Sequence, residues 1–276
     1  MGRIERALEH ANRKPTKERE KSVDNSAPLA ISKEQAEVDD LGIDIGKLTK
    51  IELDSKRLFQ QHRVIMNTQD SIASSAYKIL RTRVLQRMRS NGWQTLAVTG
   101  TCPNEGKTLT AINLALSMAR DVNTTTVLVD LDLRRPTIHK YLEHVPRYGV
   151  LDCLNDRATI ETAMVCPGLE RLGLLLNSEP VESSSEMLAS PKMAQMLTAL
   201  KAGENRIVIF DMPPLSASDD VLTFGPLVDA VLIVTAEGVS QHQTLAQARE
   251  LSRDMNIIGT VLNRSSDSTS SYYYYA

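Results

Sequence analysis

Beyond residue 90, six short apolar runs recur along the chain: "QTLAVTG", "TTTVLVDLDL", "RLGLLL", "RIVIFDM", "AVLIVTA" and "NIIGTVLN". Stretches of helical character lie between them, among them "KTLTAINLALSMARD", "SEMLASPKMAQMLTALKAG" and "VSQHQTLAQARELSRDM". A strand that is apolar on both sides must be covered on both sides, and helices between successive strands supply that cover. The pattern predicts an α/β fold, a mostly parallel sheet with helices on both faces. Ligands of such sheets sit beyond the carboxyl ends of the strands. The polar residues that follow each run are therefore the ones to read for chemistry.

After the first run comes "GTCPNEGKTLT". A glycine-bearing turn that opens a helix lets backbone amides approach an anion, and the helix aims its positive end at it. The loop Gly100, Thr101, Cys102, Pro103, Asn104, Glu105, Gly106, Lys107, Thr108 and Leu109 is the candidate phosphate cradle. Lys107 offers a positive charge to the β and γ phosphates, and Thr108 offers its hydroxyl to Mg²⁺. The common spacing G-x-x-x-x-G-K-[ST] would need glycine at 101, where this chain has Thr101, with Gly100 one position early. The context of strand, loop, GKT and helix is nevertheless the required one.

The second run ends in Asp130 and Asp132, and the fourth in Asp211. Residues two apart on a strand point the same way, so Asp130 and Asp132 are expected to reach into one pocket. Carboxylates facing phosphates repel them unless a divalent cation intervenes. Arg134 and Arg135 follow as anion partners or interface charges. Asn263 closes the last run, where its paired donor and acceptor suit a purine edge.

The 276 residues divide by composition into an amino-terminal region, 1–65, a phosphate-binding domain, 66–264, and a tail, 265–276. "MGRIERALEHANRK" spaces Ile4, Ala7, Leu8 and Ala11 as an amphipathic helix, followed by the charged linker "KPTKEREKSVDNSAPLAISKEQAEVDD". A second helix is expected over "DSIASSAYKILRTRVLQRMRS", with Ile72, Ala76, Ile79, Leu80, Val84 and Met88 as its apolar stripe. A formal net charge of −2 offers no broad basic field for nucleic acid. Cys102, Cys153 and Cys166 lack metal-ligand spacing and read as reduced thiols of a cytoplasmic protein. No run approaches the ~20 apolar residues of a membrane span, and no signal peptide opens the chain. The chain ends "SSDSTSSYYYYA", placing four of its seven tyrosines, Tyr272, Tyr273, Tyr274 and Tyr275, on a serine-rich tether that cannot bury them.

Together these motifs resemble the bacterial tyrosine kinases that control polysaccharide synthesis and export, relatives of the ParA/MinD-type partition ATPases with their deviant Walker motifs. The resemblance runs from about Ala76 to Arg264, and "MGRIERALEHA" is similar to the start of soluble autokinases of exosortase-linked exopolysaccharide clusters. It implies a P-loop NTPase-like domain that uses ATP (leaving ADP) and Mg²⁺ to phosphorylate its own tail. Lys107 and Thr108 then belong to Walker A, Asp130 and Asp132 to Walker A′, and Asp211 to Walker B. Catalysis is assigned to Lys107, Asp130 and Asp132, and the metal to Thr108, Asp132 and Asp211. Asp130 is the preferred base, and Tyr272–Tyr275 are the acceptors, presented to a neighbouring subunit. The implied partners are further copies of the chain, a separate membrane co-polymerase that activates it at the inner face of the plasma membrane, and a cognate phosphatase. No nucleic acid is implied.

Two features depart from the family. Its oligomerisation motif E-x-x-R-x-x-R here reads Ser75, Lys78, Arg81, which leaves the ring in doubt. The activating membrane segment that family members often carry is missing from this sequence. The alternative is a ParA/MinD-type ATPase without kinase activity. Those proteins place a signature lysine five residues before the loop lysine, where this chain has Cys102. Replacing Lys107 is expected to abolish transfer while leaving the fold intact.

Overall fold

The computed structural model describes residues 43–67, 71–251 and 253–266. The expected amino-terminal helix, the charged linker and the four terminal tyrosines fall outside these residues. All described residues belong to one compact unit, Leu41–Ala276.

Its centre is a sheet of eight strands: β1 Thr49–Lys50, β2 Thr95–Gly100, β3 Thr125–Asp130, β4 Val165–Cys166, β5 Leu172–Leu175, β6 Arg206–Asp211, β7 Ala230–Ala236 and β8 Ile257–Asn263. Their spatial order is β1-β4-β5-β3-β6-β2-β7-β8. Every neighbouring pair is parallel except β4 with β5. The main helices are α1 Ser55–His62, α2 Ile72–Asn91, α3 Lys107–Met118, α4 Pro191–Lys201 and α5 His242–Leu251, with shorter helical turns between them.

The continuous apolar runs now have their explanation. Val127 and Val129 of β3, Val208 and Phe210 of β6, and Val231 and Ile233 of β7 join Met193, Met196, Leu197 and Leu200 of α4 in one core layer. The alternate residues Leu128, Ile207, Ile209, Leu232 and Val234 join Val84, Leu85 and Met88 of α2 and Ile112 and Leu114 of α3 in the other. Successive strand residues point to opposite faces, and both faces are roofed. Each such buried side chain contributes about 1.5–3 kcal/mol, against about 0–1 kcal/mol for an exposed ion pair. The layers, not the surface charges, hold the strand ends in place.

Three expectations need correction. The domain starts before residue 66: Ile43, Leu58 and Val64 are buried in the same cores. Asn113 of α3 clamps this segment, accepting from the Ile65 amide at 2.8 Å and donating to the Arg63 carbonyl at 3.1 Å. The apolar residues here are too few and too widely spaced to stand out from the polar linker. The helix at 72–91 exists, capped by Ser71 and ended by left-handed Gly92 (φ 68°), but its expected stripe holds only in part. Val84 and Met88 are buried, while Ile72 and Ile79 are 77% and 45% exposed. The stretch from Ser185 to Gly203 contains two helices, because Pro191 starts a new one behind its Ser190 cap.

Candidate active site

The strands β2, β3 and β6 lie side by side and all end at the same edge of the sheet. That alone gathers the loop after Gly100, the aspartates after β3 and Asp211. Asp130 and Asp211 are direct neighbours in the ladder. Lys107, at the first position of α3, folds over the aspartates. Its ammonium donates to Asp132 Oδ2 at 2.8 Å, lies 3.9 Å from Asp211 Oδ1, and donates to Thr108 Oγ1 at 3.3 Å. Only 13% of the side chain is exposed. Burial works against its charge, but Asp211 and Asp132 outweigh burial and hold the ammonium above its ordinary pKa. Lys107 is therefore a structural cation of the site, tying the start of α3 to Asp132 and Asp211.

The three carboxylates have different surroundings. Asp130 is fully buried; its Oδ2 accepts from the amides of Thr137 and Ile138 at 3.2 and 3.1 Å, while Oδ1 has no partner. Burial, and then the neighbouring Asp211, push its carboxyl well above the usual range. Asp211 is also fully buried; its carboxylate meets the Thr108 hydroxyl and, at 3.9 Å, the Lys107 ammonium, but neither oxygen has a well-formed hydrogen bond. Burial lifts its pKa to about 6, with Lys107 opposing. Asp132 carries the Lys107 contact on Oδ2 and accepts from the Arg135 amide at 3.2 Å on Oδ1. The chain turns after β3 ends at Asp130, so the two carboxylates are held differently: Asp130 by backbone amides alone, Asp132 by Lys107 and one backbone amide.

Unpartnered acceptors at this depth are costly, by roughly 1–3 kcal/mol each. A cation placed against Asp211 and Asp132, with the Thr108 hydroxyl nearby, would satisfy them. Among the described residues no group of three His, Cys, Asp or Glu side chains is gathered to hold a metal alone. Mg²⁺ fits such a site, since it is commonly held by one or two carboxylates together with the phosphates of a bound nucleotide.

The loop itself divides in two. Asn104 and Gly106 both have positive φ, 67° and 86°, which asparagine and glycine tolerate best. A Cβ on Gly106 would fall 2.1 Å from Asn263 Nδ2, so a side chain there would displace Asn263 as well as strain the backbone. Glu105, expected among the nucleotide contacts, instead turns its carboxylate inward and is 1% exposed. It accepts from the amides of Thr101 and Cys102 and from the hydroxyls of Thr101 and Ser240. Asn263, expected at a purine edge, donates to the Glu105 carbonyl at 2.9 Å and accepts from the Arg264 amide at 2.9 Å. It braces the loop. Arg134 is likewise engaged elsewhere, donating to Ser184 Oγ at 2.8 Å and lying 3.8 Å from Asp220. Ser240 was missed by sequence reasoning, because nothing in "EGVSQ" marks it. Of the expected interface residues in α2, Arg81 donates to the Ser117 carbonyl at 3.1 Å, and Lys78 is exposed.

Known proteins resemble this chain in sequence and fold. No family model matches the chain. It is 28% identical over 220 residues to the tyrosine-protein kinase YwqD of Bacillus subtilis, covering 78% of this chain and 91% of YwqD. CpsD of Streptococcus pneumoniae, 26% identical over 205 residues, is likewise named a tyrosine-protein kinase. The chain is also 24% identical over 207 residues to the succinoglycan biosynthesis transport protein ExoP of Rhizobium meliloti, of which the match spans only 26%. Among solved structures, the chimerical protein CapA2B2 superposes with a TM-score of 0.67 at 24% identity, covering 79% of this chain and 93% of that one. That likeness concerns the fold alone, a mostly parallel sheet covered by helices.

Proposed function

We propose that the chain is an ATP- and Mg²⁺-dependent protein-tyrosine kinase that phosphorylates Tyr272, Tyr273, Tyr274 and Tyr275 of a neighbouring copy. The observation that carries this reading is the cluster of Lys107, Thr108, Asp132 and Asp211 at the mouth of the phosphate loop. Asp211 lacks a well-formed hydrogen bond there, in a chain that ends in four phenols.

In this reading the amides at the start of α3 hold the phosphates, and Lys107 neutralises them from the side. Mg²⁺, when bound, neutralises charge on the β and γ oxygens. Thr108, Asp132 and Asp211 are the residues that would hold it. Asp130 takes the phenolic proton. A phenol with a pKa near ~10 needs a base of raised proton affinity, and burial gives Asp130 one. Its Oδ1 has no exposed surface, so covering atoms must move aside before the phenol arrives. Asp130 also holds the turn at Thr137 and Ile138, which couples any such movement to the chain after β3.

The relatives' names support a place in exopolysaccharide synthesis and export. A separate membrane co-polymerase would recruit and activate the kinase at the inner face of the plasma membrane, and a cognate phosphatase would reset it. Each phosphate adds roughly −1.5 to −2 charge, so a phosphorylated tail is repelled by the acidic site and the oligomer loosens. No helix among the described residues is long and apolar enough to cross a membrane.

The test is incubation of purified protein with ATP and Mg²⁺, read by intact mass and a phosphotyrosine blot. Label confined to the tail, and absent from a variant with Tyr272–Tyr275 changed to Phe, is the expected result. ATP hydrolysis with no phosphotyrosine would turn the reading toward a partition-type ATPase.

A further inference from the structure

Glu105 presents a puzzle. It places a carboxylate inside a loop proposed to receive phosphates, where its charge repels them. Glu105 takes part in none of the ion pairs found among the described residues. A buried anion is costly unless several donors surround it. Four do: the amides of Thr101 and Cys102 on Oε2, and the hydroxyls of Thr101 and Ser240 on Oε1. Bonds from neutral donors to an ionised acceptor are among the stronger ones.

The bridge reaches beyond the loop. Ser240 sits after β7, where its hydroxyl also accepts from the Ala236 amide at 2.9 Å and its own amide donates to the Ala236 carbonyl at 3.0 Å. The backbone of residue 105 is held from β8 by Asn263. Residue 105 is thus fixed at its side chain by one strand's loop and at its carbonyl by another's. The same contacts account for the departure from the common spacing. A Cβ on Gly100 would fall 2.4 Å from Glu105 Oε2, so the early glycine makes room for this carboxylate. Thr101, standing where glycine is usual, contributes both an amide and a hydroxyl to it.

We infer that Glu105 and Ser240 are positioning residues of the phosphate loop. Their buried bridge turns the amides of Thr101 and Cys102 inward and fixes Gly106 and the start of α3 in the form that receives a nucleotide's phosphates. The inference rests on the nucleotide-binding part of the proposed function, not on the transfer to tyrosine. Neither residue touches the phosphates. Loss of the bridge weakens ATP binding and leaves transfer at saturating ATP to Lys107 and the aspartates.

Ser240→Ala is the informative variant, since it removes one hydroxyl from a separate loop. Glu105→Gln keeps the shape and removes the charge. The measurements are ATP affinity by calorimetry, KM and kcat for tail phosphorylation, and hydrogen exchange at residues 100–106. Losing one charge-assisted bond should weaken ATP about tenfold in each variant. The change should appear in KM rather than kcat, with faster exchange at Thr101 and Cys102. Ser240→Thr should restore both. The double variant should lose little more than either single one, because both changes break one bridge. Unchanged ATP affinity and exchange in folded Ser240→Ala, or a loss confined to kcat, overturns the inference and leaves the kinase reading standing. Wild-type protein that binds ATP yet forms no phosphotyrosine overturns the kinase reading and leaves the brace. Wild-type protein that binds no ATP overturns both.

Discussion

Glu105 and Asp211 are both buried carboxylates beside the same loop, and the fold treats them in opposite ways. Glu105 has a donor for each of its main acceptor positions and is closed off by β7 and β8. Asp211 has no well-formed hydrogen bond, only the Thr108 hydroxyl and a distant Lys107, and its neighbour Asp130 keeps one bare oxygen. Buried polar groups are normally satisfied, so a bare one marks either strain or an absent ligand. The loop side of the site is finished scaffold. The acid side keeps poorly satisfied acceptors, which the proposed cation would fill, and among the described residues Lys107 is the charge that partly compensates them.

The largest effect should come from removing that charge. Lys107→Met is expected to abolish tail phosphorylation. The sequence suggested an indifferent fold, but the variant leaves Asp130, Asp132 and Asp211 uncompensated, at a cost of about 3–5 kcal/mol near neutral pH. The cost should shrink as pH falls. Without the ammonium, Asp211 is no longer drawn down from its raised position, so it and Asp130 protonate readily in acid and stop repelling. Urea unfolding of wild type and variant at pH 7.5 and 5.5 measures this. An equal stability gap at both values would break the contrast between the two sides.

Next comes Asp211→Asn. In the ligand-free wild type the folded carboxyl titrates at about 6, above its ordinary range. The native state then binds more protons than the unfolded state across roughly pH 4–6, so this group's contribution to stability falls as pH rises through that window. Asparagine cannot ionise. The variant should lose transfer by orders of magnitude and yet melt higher than wild type at pH 7 without nucleotide, by about 1–3 kcal/mol of stability. Mg²⁺ with ATP should close the gap by stabilising only the wild type. A variant less stable than wild type in the ligand-free state would mean that Asp211 serves the fold rather than an awaited cation.

The sequence revealed the two sides unequally. The acid side was legible because each aspartate closes an apolar run, and the six runs all proved to be strands ending at one edge of the sheet. The strands β1 and β4 were not, since two residues each leave no periodic signal. On the loop side, "GKT" was readable as a motif, but the direction of the Glu105 side chain was not. The loop's own donors fold it back, and its outer contact is Ser240, 135 positions away, while Asn263, 158 away, holds the carbonyl of the same residue. Asn263 illustrates the limit well. Its place at a strand tip was foreseen, and its partner could not be, because an amide there serves a ligand or a backbone carbonyl equally well. Helix α2 misled for a related reason: Ile72 and Ile79 have helical spacing, but among the described residues no layer of the fold covers them.

The smallest predicted effect tests whether the loop side is scaffold throughout. Asn104 is exposed, sits next to Glu105 and holds φ at 67°. If its role is only to adopt the left-handed conformation, glycine should replace it with a change under about 0.5 kcal/mol. The easier backbone geometry offsets the greater freedom of the unfolded chain. ATP affinity should be unchanged within error. Alanine, which resists that φ, should cost about 1–2 kcal/mol and loosen the amides that follow. Thermal melts and ATP calorimetry on the pair separate backbone from side chain. Should Asn104→Gly lose ATP while melting normally, the Asn104 amide itself would be a ligand. The loop side would then hold an incomplete group of its own, as the acid side does at Asp211.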